Sequence, residues 1–498
     1  MGISKTIPGL ALVFLLPSAP ACWVAGCSSG TEEDRAGDSG NPKVMDTEDF
    51  DAESDSDSHP DGGADAGTSH DAGLQDGAGA SDTGNLEDSG REDARVDAGS
   101  YDAGSETPDA GSRSGPLVPD PANARWLKWK NGPHTFICGP GDPEGFLYRG
   151  ARLADGTRDG DQDEIISKLA GTGANGIYFQ AVRSHGGDGD STHNPFVDGD
   201  PAKGLSDPIL DQWERWFEAL DEAGVAMFFF VYDDSARIWD TGGASGADER
   251  AFVQGLVGRF SHHRGIVWVV AEEYAERYAP ARVSAIAAAI RAADAMHPIG
   301  VHKNHGLDFS EFATDPGIDV FAIQYNVDTA GELHAGMQSA WDTAAGRYNL
   351  TMSEAANHGS GDSARRKNWA AALGGAYVLV LGMDVASTPV SDLEDCGRLA
   401  RFMESAGFAS MSPHDELSFG ATEYVMADPG RDYIVYAAGN GDPGLRGLDA
   451  GTYLLRWLDT VTGTEKEEEV TTAAGDRTFT RPGGLGTEVA LHIRHLPE

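Results

Sequence analysis

Residues 266–274 read IVWVVAEEY, an unbroken apolar run that ends in two glutamates and a tyrosine. The run is rich in β-branched residues and too short for a typical helix, so it predicts a strand buried on both faces. Strands of that kind belong to parallel sheets whose two faces are covered by helices. Glu272 and Glu273 are therefore expected at the carboxyl end of a parallel strand.

Seven further runs of this kind flank the stretch, and together they predict an eight-stranded barrel. The expected strands are residues 146–149, 176–180, 226–232, 266–271, 299–302, 320–325, 349–353 and 376–383. Helical spacing separates them, as in 211–224, where Trp213, Trp216 and Leu220 share one face. This alternation favours the α/β class and a (β/α)8 TIM barrel over residues 116–410. No glycine-rich phosphate fingerprint follows the first run, which argues against a nucleotide-binding fold.

Residues 411–498 have a different texture, with short runs separated by Gly, Pro and Asp clusters. The β-rich runs are 423–426, 433–438, 452–457, 467–472 and 488–492. Alternation of apolar and polar residues is typical of strands with one buried face. This part predicts a small antiparallel β-sandwich that packs against the barrel.

Residues 27–115 consist mostly of Asp, Glu, Gly, Ala, Ser and Thr, and Asp-Ala-Gly recurs there. Such a segment buries too little apolar surface to offset its ordering entropy, so it predicts a disordered acidic stalk. Much of the formal net charge of -43 lies in this stalk. Nucleic acid is not an expected partner, because its binding needs a basic patch.

Residues 1–26 resemble a bacterial lipoprotein signal peptide. Lys5 precedes the apolar run 10–16, and Val24-Ala25-Gly26-Cys27 resembles the lipobox in which the Cys becomes lipidated. The resemblance implies a lipid anchor at Cys27, and Ser28 after it favours the outer membrane or cell surface. An ordinary signal peptide with an incidental Cys is the alternative.

Cys138 and Cys396 remain in the part that is expected to fold. They lie just before the first predicted strand and in the helix after the eighth, which are neighbours when a barrel closes. An oxidising compartment allows them to pair, although two buried free thiols are also common. No metal or cofactor is expected, because the sequence has no zinc-type His/Glu/His cluster and the acidic stretch 155–166 lacks the final Glu of a calcium loop.

Polar residues follow the predicted strands where a TIM barrel places its active site. Two acids, Glu273 after the fourth strand and Glu354 after the seventh, are the candidate catalytic pair. The candidate substrate-binding residues are Gln180, Arg183, His185, Asp233, Glu272, His302 and Tyr325. This mixture of acid, amide, imidazole and phenol groups is typical of a sugar-binding cleft, although a salt bridge at the rim would explain Arg183 and Asp233 equally well.

The motif around Trp268 and Glu273 resembles the fourth strand of clan-A glycoside hydrolases, and LTMSEA (350–355) resembles their nucleophile strand. Gln180, Tyr325 and the Trp-rich helix resemble the apiosidase-like branch, which carries a C-terminal β-domain often called collagen-binding. The resemblance implies Glu273 as acid/base and Glu354 as nucleophile of a retaining glycosidase. That reaction needs two carboxyl groups about 5–5.5 Å apart.

One position departs from the clan's pattern: Glu272 stands where an Asn normally hydrogen-bonds the sugar 2-hydroxyl. An ionised carboxylate accepts such a bond but cannot donate one. The leading hypothesis is an extracellular, monomeric retaining glycoside hydrolase that acts on a polysaccharide or glycan. The alternative is a catalytically inactive surface lipoprotein that binds carbohydrate or protein.

Overall fold

The computed structural model describes residues 114–141, 145–183, 191–234, 236, 238–239, 241, 244–354, 358–379 and 384–497. All of them belong to one compact unit, Gly99–Glu498. The predictions of a signal peptide, a lipid anchor at Cys27 and a disordered stalk fall on residues outside the described ranges, except for the last two stalk positions. The candidate His185 also lies outside them.

A curled parallel sheet of seven strands forms the centre of the fold, after a short antiparallel hairpin of β1 (Leu117–Asp120) and β2 (Asn123–Trp129). Its strands are β3 (Gly176–Gln180), β4 (Ala226–Tyr232), β5 (Ile266–Ala271), β6 (Ile299–Lys303), β7 (Val320–Gln324), β8 (Asn349–Glu354) and β9 (Tyr377–Val378). They are hydrogen-bonded in sequence order, and nearly every residue in them is buried. The arrangement is consistent with a TIM-like barrel.

The prediction of a first barrel strand at 146–149 is wrong, because Phe146–Tyr148 forms a turn of 3-10 helix. Residues 137–141 take that place. The Gly139 N–H donates to the Val378 carbonyl on β9 at 2.9 Å. Gly141 forms a parallel bridge to Tyr178 on β3. The same segment thus bridges both edges of the seven-stranded sheet.

Residues 137–141, here called the closing segment, run so close to the neighbouring strands that neither of their two glycines has room for a side chain. A Cβ added to Gly139 would lie 1.8 Å from the backbone oxygen of Gly176, and one added to Gly141 would lie 2.1 Å from the Tyr178 ring. The segment therefore lacks the apolar run that marks the other strands, whereas the apolar stretch 146–149 after it resembles one.

Seven α-helices among the described residues connect the strands and cover the sheet. They are α1 (Gln162–Thr172), α2 (Asp207–Glu222), α3 (Ala247–Phe260), α4 (Pro280–Ala293), α5 (Ala330–Ala344), α6 (Asp362–Leu373) and α7 (Val390–Ala406). The aromatic face of α2 is buried as its spacing predicts, with Trp213 and Trp216 each less than 5% exposed. None of the described helices combines the length and apolar character that a membrane crossing requires.

The C-terminal part contains two antiparallel sheets. One has the strand order β10 (Ser412–Pro413), β12 (Tyr424–Asp428), β13 (Asp432–Ala438), β18 (Glu488–Leu496), β15 (Gly451–Asp459) and β16 (Glu465–Thr472). The other is β11 (Ser418–Gly420), β14 (Pro443–Leu448) and β17 (Gly475–Thr478). Buried residues of both sheets, such as Trp457 and Leu445, share one apolar core.

The larger antiparallel sheet packs against the helices of the barrel. Tyr436 on β13 stacks on Trp369 of α6 with ring centroids 5.5 Å apart. Beside this contact, the buried Arg365 of α6 donates from Nε to the Glu488 carboxylate at 2.7 Å. Burial of an ion pair is tolerated when both charges are satisfied, and these two satisfy each other.

Cys138 in the closing segment and Cys396 on α7 form a disulfide, with their Cα atoms 5.3 Å apart. Their sequence separation is 258 residues, so the bond restricts a very long loop in the unfolded chain. We expect Cys396→Ser to lower the free energy of unfolding by about 2–5 kcal/mol. Urea denaturation of the variant and the wild type measures this. A variant as stable as the wild type would contradict a structural role for the bond.

Candidate active site

Six consecutive strands of the parallel sheet place polar side chains at their carboxyl ends. Because parallel strands end at the same rim, these side chains meet at the mouth of the barrel. They are Gln180 at the end of β3, Asp233 after β4, Glu272 and Glu273 after β5, His302 on β6, Gln324 at the end of β7 and Glu354 at the end of β8.

Gln324 connects the two acids that the sequence singled out. Its Nε2 lies 2.7 Å from Glu273 Oε1 and 2.7 Å from Glu354 Oε1, and it donates to both. The two carboxylate oxygens therefore cannot be farther apart than these two bonds laid end to end, about 5.4 Å. This upper limit does not exceed the separation of about 5–5.5 Å at which one carboxyl group attacks and the other protonates.

Glu273 occupies an unusual position on the backbone and has an unusual acidity. Its φ of 38° lies in the left-handed region of the backbone. Residues other than Gly seldom adopt that region, and those that do are often found at functional sites. Burial and the negative charge of Glu354 raise the pKa of the Glu273 carboxyl to about 7, although the Gln324 hydrogen bond opposes the rise. Near neutral pH both the protonated and the ionised forms of this carboxyl are therefore populated.

His302 is fully buried between the two acids. Its Nδ1 accepts a hydrogen bond from the Glu273 backbone N–H at 3.0 Å, which leaves the proton of the neutral ring on Nε2. That Nε2 lies 3.6 Å from Glu354 Oε2. Burial lowers the pKa of the His302 imidazole to about 3, so the ring is uncharged. It therefore lies beside both acids without adding a charge to the site.

Glu272 points to the other side of the cluster, where the Gln180 side-chain amide donates to its carboxyl oxygen. Burial raises the pKa of the Glu272 carboxyl well above its ordinary value, and the charges of Glu354 and Asp234 raise it further. This setting favours the protonated form of the carboxyl group, and a protonated carboxyl can donate a hydrogen bond.

The other predicted residues lie around this cluster. Arg183 and Asp233 are both buried close to the Tyr148 hydroxyl. Burial raises the pKa of Tyr148, the charge of Arg183 lowers it, and the charge of Asp233 raises it again. The ring of Tyr325 packs against α5 and stacks with His305, and its backbone N–H donates to the Glu354 carbonyl at 3.0 Å.

Sequence reasoning missed Gln324, which joins the two acids, and chose its neighbour Tyr325. The signal was present, because Gln324 is the one polar residue in the buried strand VFAIQ. Three carboxylates at the rim, those of Asp234, Glu273 and Glu276, come close enough to hold a cation. Within the described structure the charge of Glu276 also raises the pKa of the Glu273 carboxyl.

No protein-family model matches the chain, and no curated protein matches it. Solved structures do resemble it. A glycoside hydrolase family 5 protein from Bacteroides vulgatus has a TM-score of 0.59 at 13% identity, over 76% of this chain and 94% of that one. A protein described as a glycoside hydrolase has a TM-score of 0.56 at 15% identity, over 76% of this chain and 97% of that one. At these identities the likeness establishes the fold that the chain shares with them.

Proposed function

We propose that this protein is an extracellular retaining glycoside hydrolase that acts on a polysaccharide or glycan. The observation that carries the proposal is the Gln324 side chain, which hydrogen-bonds Glu273 and Glu354 at once and holds their oxygens within about 5.4 Å. The fold shared with solved glycoside hydrolases supports the same reaction class. The fold alone would be too little to assign the reaction, because TIM barrels host many activities.

Glu354 is the nucleophile and Glu273 the acid/base. In the first step a Glu354 oxygen attacks the anomeric carbon while the Glu273 proton moves to the departing glycosidic oxygen. A covalent glycosyl ester on Glu354 results. In the second step Glu273, now ionised, takes a proton from water, whose oxygen attacks the anomeric carbon and releases Glu354. The raised pKa of Glu273 and the uncharged His302 support this division of roles.

The replacement of Asn by Glu at position 272 is compatible with this chemistry. Its raised pKa favours the protonated carboxyl, which both donates and accepts hydrogen bonds as an amide does. A protonated Glu272 can therefore bind the sugar 2-hydroxyl in the way expected of Asn. The buried amide of Gln180 holds it in place.

We expect Gln324→Leu to shift the alkaline limb of the pH–rate profile upward. The Gln324 hydrogen bond lowers the pKa of Glu273, so its removal lets that pKa rise above about 7. Loss of a donor to two carboxylates should also slow turnover by about 10–100-fold, since a bond to a charged group is worth about 1.5–3 kcal/mol. The pH dependence of kcat/KM measures both effects.

Gln338→Leu is the matched control, because Gln338 donates to Asp415, which is not one of the polar residues at the ends of the barrel strands. It should keep the wild-type profile. If Gln324→Leu also kept the wild-type rate and profile, the contact between Gln324 and the two acids would have no part in turnover.

The direct test of the proposed activity is a screen of the mature chain against a panel of plant and microbial glycans. We expect reducing sugar to be released from at least one glycan, with the anomeric configuration retained in the first product seen by 1H NMR. Glu354→Gln should release none. Saturable binding of a glycan without release would instead favour the alternative of a surface binding protein.

We also propose that Cys27 carries the lipid anchor that holds the enzyme at the outer membrane or cell surface. The lipobox-like VAGC ending at Cys27 and the acidic segment after it support the proposal. Intact-mass measurement of membrane-extracted protein should show acyl mass on a chain that starts at Cys27. A soluble mature chain that starts elsewhere would contradict it, and Cys27→Ala should remain soluble.

A further inference from the structure

We propose a zinc-binding site formed by Glu214, His262 and His263. It lies at the end of the barrel opposite the strand ends that carry Glu273 and Glu354. Glu214 lies on α2, and the two histidines lie in the turn between α3 and β5. The turn precedes β5 whereas Glu273 follows it, and the six residues of that strand span about 20 Å. The site is therefore separate from the catalytic chemistry and does not depend on it.

Three ligand atoms converge at this site. His262 Nε2 lies 2.7 Å and His263 Nε2 lies 3.1 Å from the same oxygen, Glu214 Oε1. A tetrahedral zinc ion with bonds of about 2.0–2.2 Å holds its ligand atoms roughly 3.3–3.6 Å apart. These two distances thus need to lengthen by less than about 1 Å to reach that spacing, and all three ligand atoms lie within 4.8 Å of one another.

His263 is oriented as a metal ligand is. It is only 2% exposed, and its Nδ1 lies 3.3 Å from Asp221 Oδ2. With the ring proton on Nδ1, the lone pair of Nε2 points at the proposed ion. That buried Nε2 has no hydrogen-bond partner among the described residues, although Glu214 is near it. A histidine that donates its other ring N–H to a carboxylate is the usual arrangement at zinc.

The partners of this histidine are themselves fixed. The backbone N–H groups of Arg264 and Gly265 donate to the Asp221 carboxylate at 2.8 and 2.9 Å. Arg259 Nε donates to the second oxygen of Glu214 at 3.1 Å. Arg259 thus leaves Oε1 to the histidines, and its own charge is balanced by Asp211 at 2.6 Å.

The ligand set favours zinc over calcium and magnesium. Two imidazoles and one carboxylate are typical zinc ligands, whereas calcium and magnesium prefer oxygen alone. The His262 side chain is 60% exposed, so the fourth position is open to a water molecule. The bound ion would connect α2 to the turn that leads into β5.

Isothermal titration of the tag-free, EDTA-treated full chain with Zn²⁺ at pH 7.5 tests the site. We expect one saturable site with a Kd on the order of 1 μM. His262→Ala and Glu214→Gln should each weaken binding by at least about tenfold, because each removes one ligand. His262 is exposed, so its replacement leaves the fold intact. Co²⁺ in place of Zn²⁺ should give visible absorption typical of tetrahedral coordination, and His262→Ala should lose it.

His414→Ala is the matched control, because His414 also pairs with a glutamate, Glu416, at 2.6 Å but belongs to no group of three such ligands in the described part of the chain. It should bind zinc as the wild type does. Absence of saturable binding in the wild type would overturn the proposal. So would wild-type affinity in both His262→Ala and Glu214→Gln, since any zinc would then be held elsewhere, for example by the acidic N-terminal segment.

Discussion

Glu354→Gln is expected to abolish turnover of every substrate that the protein hydrolyses. The amide is nearly the same size as the carboxylate and can keep the contact with Gln324, but it cannot form the glycosyl ester. The measurement is the rate of product release from the best substrate of the glycan screen. Binding of that substrate should remain, because the rest of the cleft is unchanged.

Glu332→Gln is the matched control for this substitution. Glu332 belongs to the capping box at the start of α5, a position where Gln serves as well as Glu. It should retain the full rate. Turnover by Glu354→Gln within about tenfold of the wild type would exclude Glu354 as nucleophile and would leave the covalent mechanism without its acceptor.

Glu273→Gln is expected to slow turnover by about 10²–10⁴-fold, the usual contribution of a general acid or base. The loss should depend on the leaving group. Natural glycosides need a proton on the departing oxygen, whereas an acidic phenol can leave an aryl glycoside as the phenolate, without that proton. Activated aryl glycosides should therefore lose much less in the glycosylation step. An equal loss for both kinds of substrate would contradict the assignment.

The same residue should set the alkaline limb of the pH profile. Glu273 must be protonated to act as acid, and its pKa is raised to about 7 by burial and by Glu354. While Glu354 is ionised, activity of the wild type should thus be half-maximal near pH 7 and should fall further as the pH rises above that value. Glu273→Gln should lack this limb, because the amide does not titrate.

Seven of the eight predicted parallel strands coincide with strands of the structure, at least in part. They could be predicted because each is a short apolar run with polar residues at its end, and a strand buried on both faces leaves that pattern in the sequence. The five β-rich runs of the C-terminal part also coincide with strands. There the signal is the alternation that one buried face produces.

The errors have physical reasons too. The closing segment at 137–141 contains Gly139 and Gly141, because only glycine fits against the neighbouring strands, so it carries no apolar run. The 146–149 stretch is apolar because Phe146 packs on the core, although the chain there is helical. A buried strand and a buried turn of helix both leave a short apolar run in the sequence. A run of only a few residues therefore does not distinguish the two conformations.

The candidate site was only partly predictable. Strand ends can be located from sequence, and so can acids such as Glu273 and Glu354 that follow them. The hydrogen bonds by which Gln324 joins the two acids, and the position of His302 beside them, depend on how the barrel closes. The zinc-type cluster has the same origin, since Glu214 is far from the histidines in sequence and meets them only through packing of α2 on the turn before β5.

Trapping of the covalent intermediate tests the central claim most directly. A 2-deoxy-2-fluoro glycoside with a good leaving group, made from the sugar identified in the glycan screen, is incubated with the protein. The digest is then analysed by peptide mass spectrometry. The proposed mechanism predicts one fluorosugar per chain, attached to Glu354 and absent from Glu354→Gln. A label on a different residue, or active enzyme that is never labelled and yields inverted product, would contradict it.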